Sequence, residues 1–251
     1  MKPQIRISED AWELTREAAF DFARRAEEAV HAKDLFTVAL SGGSTPKGLY
    51  SLLAEQTWRA ELPWSKTHFF WGDERNVPPD HADSNYQMAY TAMLSKVPVP
   101  SANVHRVRTE ETDVNKAAEY YEEELRSFFQ LAPGELPRFD LVLLGLGADG
   151  HTASLFPGTD ALGERQRLVI ANWVPKFSAY RVTMTLPVFN NAASVVFLVS
   201  GVEKSKALCA VLRDHAAPEQ FPAQLIHPTE GELLWLTDRS AAADFLLVAQ
   251  R

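Results

Sequence analysis

The stretch from Phe139 to Gly158, FDLVLLGLGADGHTASLFPG, constrains this chain more than any other. Its first half is apolar from Phe139 to Leu146, interrupted only by Asp140 and Gly145. A short run that rich in Leu and Val, bounded by glycines, reads as a strand buried on both faces. Such a strand belongs inside a mostly parallel sheet, which helices cover on both sides. The run stops at Gly147-Ala148-Asp149-Gly150, where small residues allow tight turning and close approach of a ligand to the backbone. Asp149 and His151 therefore place a carboxylate and an imidazole at the carboxyl end of a buried strand, where open α/β sheets bind their ligands. Taken alone, the same triplet also describes a loop histidine beside an aspartate that caps the next helix. Two further segments of the same construction decide between these readings.

The first is Leu35 to Leu40, a strand that runs into SGGSTPKGLYSLLAE. Gly42 and Gly43 permit unusual dihedrals, and Thr45 followed by Pro46 makes an N-cap and first-turn pair for a helix from Pro46 to about Gln56. Free N–H groups at such a helix start, with the helix dipole, favour an anion. Ser41, Ser44 and Thr45 add hydroxyl donors. The pattern is neither a dinucleotide fingerprint nor a nucleotide-triphosphate loop. The second segment is Thr67 to Trp71, a short strand ending in Gly72-Asp73-Glu74-Arg75. Val77-Pro78-Pro79 forces an extended excursion, and Asp83 or Ser84 caps the helix that follows. Arg75 reads either as a surface residue paired with Asp73 or Glu74 or, functionally, as a guanidinium of the kind that grips phosphate with two hydrogen bonds.

The remaining chain fits the alternation. Ser8 to His31 reads as an amphipathic helix capped by Ser8, with Trp12, Ala19, Phe22, Ala26, Ala29 and Val30 on its apolar face. A proline-punctuated connection, with a short strand at Val104 to Val107, leads to a charged helix from Asp113 to Leu131, whose Glu122, Glu123 and Glu124 read as a solvated face. Leu168 to Pro175 and Arg181 to Leu186 read as strands around a polar loop, followed by a short helix at Pro187 to Ala193. Ser194 to Gly201 is another buried strand, running through Lys204 into a helix from Ser205 to Asp214. A cation at a helix start is disfavoured by the dipole, so Lys204 hints at an anionic partner. Phe221 to Ile226 and Glu232 to Asp238 close the sheet, and Arg239 to Gln250 is a terminal helix. The expectation is one α/β domain over residues 1–251, with a mostly parallel sheet and helices on both faces. In that architecture Ser41 to Thr45, Asp73 to Arg75, Asp149 to His151 and Lys204 converge on one rim.

Composition narrows the function. The net charge is −8 with no Lys/Arg-rich block, which argues against nucleic-acid binding. No apolar run spans a bilayer, and the N-terminus lacks the apolar core of a secretory signal. The single cysteine, Cys209, sits in an apolar pattern and reads as a core filler, with a cytoplasmic location as the default. The seven histidines form no HxH or HxxxH pair, so no metal and no cofactor is expected. A monomer or weak homo-oligomer is expected.

Six blocks taken in order, LSGGSTPKGLY, WGDERNVPPDHADSNY, LLGLGADGHTASLFPGT, RVTMTLPVFNNA, SGVEKSKAL and PAQLI with LLWLTD, resemble the 6-phosphogluconolactonase family. The resemblance covers the chain from about Leu35 onward. It implies a modified Rossmann-type α/β fold shared with glucosamine-6-phosphate deaminases, and hydrolysis of 6-phospho-D-glucono-1,5-lactone in the pentose phosphate pathway. Deaminases share the SGG turn, the GDE-type strand end and DGH. Here the chain reads GDER and, after His151, TASLFPG, which favours the lactonase. Asp73 is common to both groups.

On that expectation a sugar phosphate lactone is the small-molecule partner. His151 is the candidate general base on water, because an imidazole is mostly neutral near pH 7, and Asp149 orients its ring or stabilises its cation. These two are the catalytic candidates. Ser41, Gly42, Gly43, Ser44, Thr45, Asp73, Arg75, Arg181 and Lys204 are the binding candidates. Arg181, heading RVTMT, is a position that the resemblance also marks. A covalent serine route lacks its G-x-S-x-G elbow. The alternatives are a deaminase-like isomerase and a non-catalytic sugar-phosphate sensor.

Overall fold

A computed structural model describes residues 3–213 and 217–249. The chain opens with a strand, β1 (Gln4–Ser8), and a long helix, α1 (Ala11–Lys33). Next come β2 (Phe36–Leu40), α2 (Ser44–Leu53), α3 (Gln56–Glu61), β3 (Thr67–Trp71) and β4 (Asp73–Arg75). The middle holds α4 (Asn85–Ala89), which continues as one π-helical turn over Tyr90–Leu94, then α5 (Val114–Phe128) and β5 (Leu141–Leu144). The last third contains β6 (Val169–Val174), β7 (Ala179–Met184), α6 (Leu186–Asn190), β8 (Ser194–Val199), α7 (Ser205–Leu212), β9 (Glu232–Asp238) and α8 (Ala243–Ala249).

Six strands form a wholly parallel sheet in the order β1-β9-β8-β5-β2-β3. Its faces are sorted by the two-residue period of a strand. Leu141 and Leu143 of β5 pack on one side with Val196 and Leu198 of β8 and with Leu14, Phe22, Leu49 and Leu53 of α1 and α2. Val142 and Leu144 pack on the other side with Val195, Phe197, and Ala117, Tyr121 and Leu208 of α5 and α7. Two apolar faces are what a near-continuous hydrophobic run requires, so the central strand of the sequence pattern is central in space. No described helix is long and apolar enough to cross a membrane.

Several expectations are corrected. The first helix is preceded by β1, whose alternation Gln4-Ile5-Arg6-Ile7-Ser8 suits a half-covered edge strand, and Ser8 lies at its end. The cap is Asp10, whose side chain accepts from the Glu13 N–H, and Trp12 is exposed, off the apolar face. Val104 to Val107 is no strand; Val104 forms only an isolated bridge to Phe69. Phe221 to Ile226 contains a 3-10 turn, Pro222–Leu225, and adds nothing to the sheet. The ends of the last two expected helices, at Asp214 and Gln250, lie outside the described residues.

Two corrections matter more. First, β6 and β7 do not join the parallel sheet. They form an antiparallel hairpin that pairs with β4 in a second sheet, β4-β7-β6. Secondly, Glu122 is buried. Its carboxylate accepts from the Arg126 and Arg167 side chains and from the N–H groups of Leu168 and Val169. It fastens α5 to the start of the hairpin, because a buried carboxylate needs this many donors to replace water.

Candidate active site

The chain reverses direction within the parallel sheet. From β2 it steps to β3 on one side; β5, β8 and β9 follow on the other. The turns leaving β2 and β5 therefore diverge and open a crevice between them, the topological switch point of an α/β sheet. An open cleft of about 200 Å³ lies there.

The turn after β2 supplies one wall. The Tyr50 hydroxyl accepts from the Ser41 N–H at 3.0 Å and donates to its carbonyl at 2.9 Å, fixing the backbone as it leaves the strand. A Cβ on Gly42 would stand 1.9 Å from Asn85 Oδ1, so only glycine permits this approach. Gly43 has φ +108°, a value L side chains rarely adopt. Gly43, and not Thr45, is the N-cap of α2, and no side chain caps this end. Ser44 and Thr45 lie in the first turn, where N–H groups have no intrahelical acceptor. Their donors line the cleft with Ser41, Gly42, Gly43 and Pro46.

The segment after β3 supplies the second wall. Asp73 to Arg75 is itself a strand, crossing to pair with Thr183, Val182 and Arg181 of β7. Between Asp73 and Arg75, the Glu74 carboxylate is buried and accepts from the N–H groups of Arg75, Asn85 and Tyr86 at 2.7–2.8 Å. Burial raises its pKa despite these donors. Glu74 thus folds the proline excursion back, and Ser84 caps α4 by accepting from the Gln87 N–H. Asp73 Oδ2 accepts from Ser154 Oγ at 2.7 Å, and Asn85 Nδ2 donates to the Asp73 carbonyl at 2.9 Å. Asp73, Arg75 and Asn85 line the cleft.

No helix follows β5. The chain coils through Gly145 to Gly158, so Asp149 is not a helix cap. Its Oδ1 instead bonds to His151 Nδ1, and its Oδ2 accepts from Lys176 Nζ at 2.6 Å. Burial alone would raise the Asp149 carboxyl, but hydrogen bonds from His151 and Lys176 outweigh it and hold the group well below the usual carboxylate range. The ring of Phe156 stacks on the imidazole at 4.0 Å. His151 lines the cleft; Asp149 stands behind it, off the wall. Lys204, closing the 3-10 turn Val202–Lys204 before α7, completes the lining with Ser200 from the end of β8.

Arg181 lies outside the lining. It stands opposite Arg75 in the β4–β7 register, half-buried, with its guanidinium over Phe177. Burial first, and Arg75 second, lower its pKa. Among the described residues, Arg75, Arg181 and Lys204 make no ion pair, although the chain is acidic. Unpaired cations gathered at one rim suit an anionic ligand.

Asn85, Phe156 and Lys176 escape sequence reasoning. Asn85 follows an obvious cap and reads as helix; Phe156 reads as core; Lys176 reads as a polar loop residue.

A family model described as glucosamine-6-phosphate isomerases/6-phosphogluconolactonase matches residues 9–235. The chain is 46% identical over 241 residues to a 6-phosphogluconolactonase of Synechocystis sp., covering 96% of this chain and 98% of that protein. It is 45% identical over 244 residues to a 6-phosphogluconolactonase of Nostoc sp., covering 97% and 99%. The solved 6-phosphogluconolactonase of Trypanosoma brucei superposes with a TM-score of 0.87 at 31% identity, over 97% of this chain and 98% of that one.

Proposed function

The chain belongs to the glucosamine-6-phosphate isomerase and 6-phosphogluconolactonase family, and on that premise we propose that it hydrolyses 6-phospho-D-glucono-1,5-lactone to 6-phosphogluconate. The relatives that match it at 46% and 45% identity over nearly their whole length are named as 6-phosphogluconolactonases, so the deaminase and sensor readings are not favoured.

One observation carries the mechanism: Arg75 and Lys204, free of ion pairs, and the uncapped start of α2 share a cleft with a histidine whose Nδ1 is already committed to a carboxylate. The phosphate dianion sits against Ser44, Thr45, Arg75 and Lys204, with Arg181 adding positive potential from beside Arg75. Charge-assisted bonds of this kind are roughly twice as strong as neutral ones. Asp73, braced by Ser154 and Asn85, accepts from sugar hydroxyls.

Asp149 is ionised throughout the working range and can only accept, so the proton of neutral His151 resides on Nδ1. Nε2 is then the free base. It takes a proton from water as the water oxygen bonds to the lactone C1, and the carbonyl becomes an oxyanion. Asp149 stabilises the imidazolium formed. When the bond from C1 to the ring oxygen breaks, the imidazolium returns its proton to that oxygen, giving the open acid. A positioned base supplies typically 10²–10⁴-fold, and orientation through the phosphate adds to it.

The test is acid release from freshly made 6-phosphogluconolactone, corrected for spontaneous opening, beside ammonia release from glucosamine 6-phosphate. Saturable acid release without ammonia is expected. Ammonia release, or no acceleration of lactone opening, overturns the assignment.

A further inference from the structure

The β6–β7 hairpin reaches the candidate base from two sides. The 3-10 turn Pro175–Phe177 forms its tip. Lys176 Nζ bonds to Asp149 Oδ2 at 2.6 Å, while Asp149 Oδ1 holds His151 Nδ1. The next residue, Phe177, sets its edge against Phe156 at 5.7 Å, and Phe156 in turn covers the imidazole face. On the remaining side, a Cβ on Gly147 would lie 2.0 Å from His151 Nδ1, so the backbone itself closes the box.

We infer that Lys176 is a positioning residue for the hydrolysis: by occupying one oxygen of Asp149 it fixes the carboxylate's rotation, and with it the tautomer, aim and basicity of His151. The inference rests on His151 being the general base. A carboxylate bonded through one oxygen only is free to swing; here each oxygen has a different donor on a different element, so turning the group breaks one bond or the other. Stability does not account for the lysine. Its side chain is 56% exposed, and ion pairs that open to solvent contribute little to folding. What the ammonium does change is the charge near the imidazole. The other charged groups at the site are Asp149 on the turn of His151, Asp73 and Arg75 on β4 and Lys204 before α7 along the same cleft, and Arg181 on β7 outside the lining, opposite Arg75. Removing Lys176 leaves Asp149 uncompensated, which favours the imidazolium and removes free base at neutral pH.

The experiment compares Lys176→Met and Lys176→Arg with the parent chain and with His151→Ala. For Lys176→Met the thermal midpoint and KM stay near the parent values. The kcat falls about tenfold to a hundredfold, the size seen when the partner behind a functional histidine is lost. The acid limb of kcat/KM moves upward by about half a pH unit or more, as a lost unit charge several ångströms away in a mostly aqueous setting dictates. Lys176→Arg, which keeps the charge and a donor, recovers most of both. An unchanged kcat and acid limb overturns the inference, as does a rise in KM alone, which would make Lys176 a substrate ligand. Full turnover in His151→Ala would instead remove the base itself, so the two failures are distinguishable.

Discussion

Replacing Asp149 by Asn changes one oxygen for one NH₂ and almost nothing in shape, yet the surrounding geometry predicts a large loss. Both carboxylate oxygens now accept, one from His151 and one from Lys176. A carboxamide has a single acceptor, so the new side chain satisfies one neighbour and presents a donor to the other. The cationic ammonium is the stronger claimant, because a hydrogen bond from a charged donor outweighs one from a neutral donor. The amide oxygen therefore turns to Lys176, and its NH₂ faces His151 Nδ1. That nitrogen must then accept, which moves the imidazole proton to Nε2 and blocks the free base. The contribution of general-base catalysis disappears, about 10²–10⁴ in kcat, or roughly 3–5 kcal/mol in the barrier. Acid-release kinetics at pH 7 on Asp149→Asn measure this directly. The same competition forecasts a rescue. With Lys176→Met added, nothing holds the amide oxygen away, it returns to Nδ1, and the double variant turns over faster than Asp149→Asn alone. A double variant no faster than the single one, or an Asp149→Asn enzyme with full activity, refutes the reasoning.

Other expectations follow from the same geometry. Arg75→Ala and Lys204→Ala each raise KM about ten- to a hundredfold with little change in kcat, since a lost charge-assisted bond costs roughly 1.5–3 kcal/mol of binding; steady-state kinetics decide, and an unchanged KM misplaces the phosphate. Glu122→Ala leaves Arg126 and Arg167 and two backbone N–H groups without their acceptor, and lowers stability by about 3 kcal/mol in urea denaturation. His68, stacked with His105 at 5.3 Å, has its pKa lowered from 6.5 to about 4, by burial first and by His105 second. The unfolded chain then binds a proton at this site that the folded chain refuses. Stability falls as pH drops from about 6.5 to about 4, by about 1 kcal/mol after allowance for solvent screening, and His68→Phe flattens that slope.

Much of this was legible in the residues, and the exceptions share a cause. The strands β3 and β9 lie where their apolar runs lie. Ser41 to Thr45, Asp73, Arg75, His151 and Lys204 meet at one cleft because each ends a strand of the same sheet or follows one, and a parallel sheet brings those ends together. Partner choice at long range left no such trace. Leu168 to Pro175 and Arg181 to Leu186 have the composition of any buried strand, and nothing local says that they pair with each other and with β4. Glu122 sits in a run of three glutamates that mimics a solvated face; its second arginine partner is 45 residues away. Lys176 shows the same limit inside the site, an exposed loop lysine until the fold carries it to Asp149 across 27 residues.

The most direct measurement is the initial rate of acid release from fresh 6-phosphogluconolactone by the His151→Ala variant, taken together with its affinity for 6-phosphogluconate. A kcat lower by two or more decades with product affinity nearly intact is the predicted result. Undiminished turnover with the alanine in place would mean that some other group deprotonates the water.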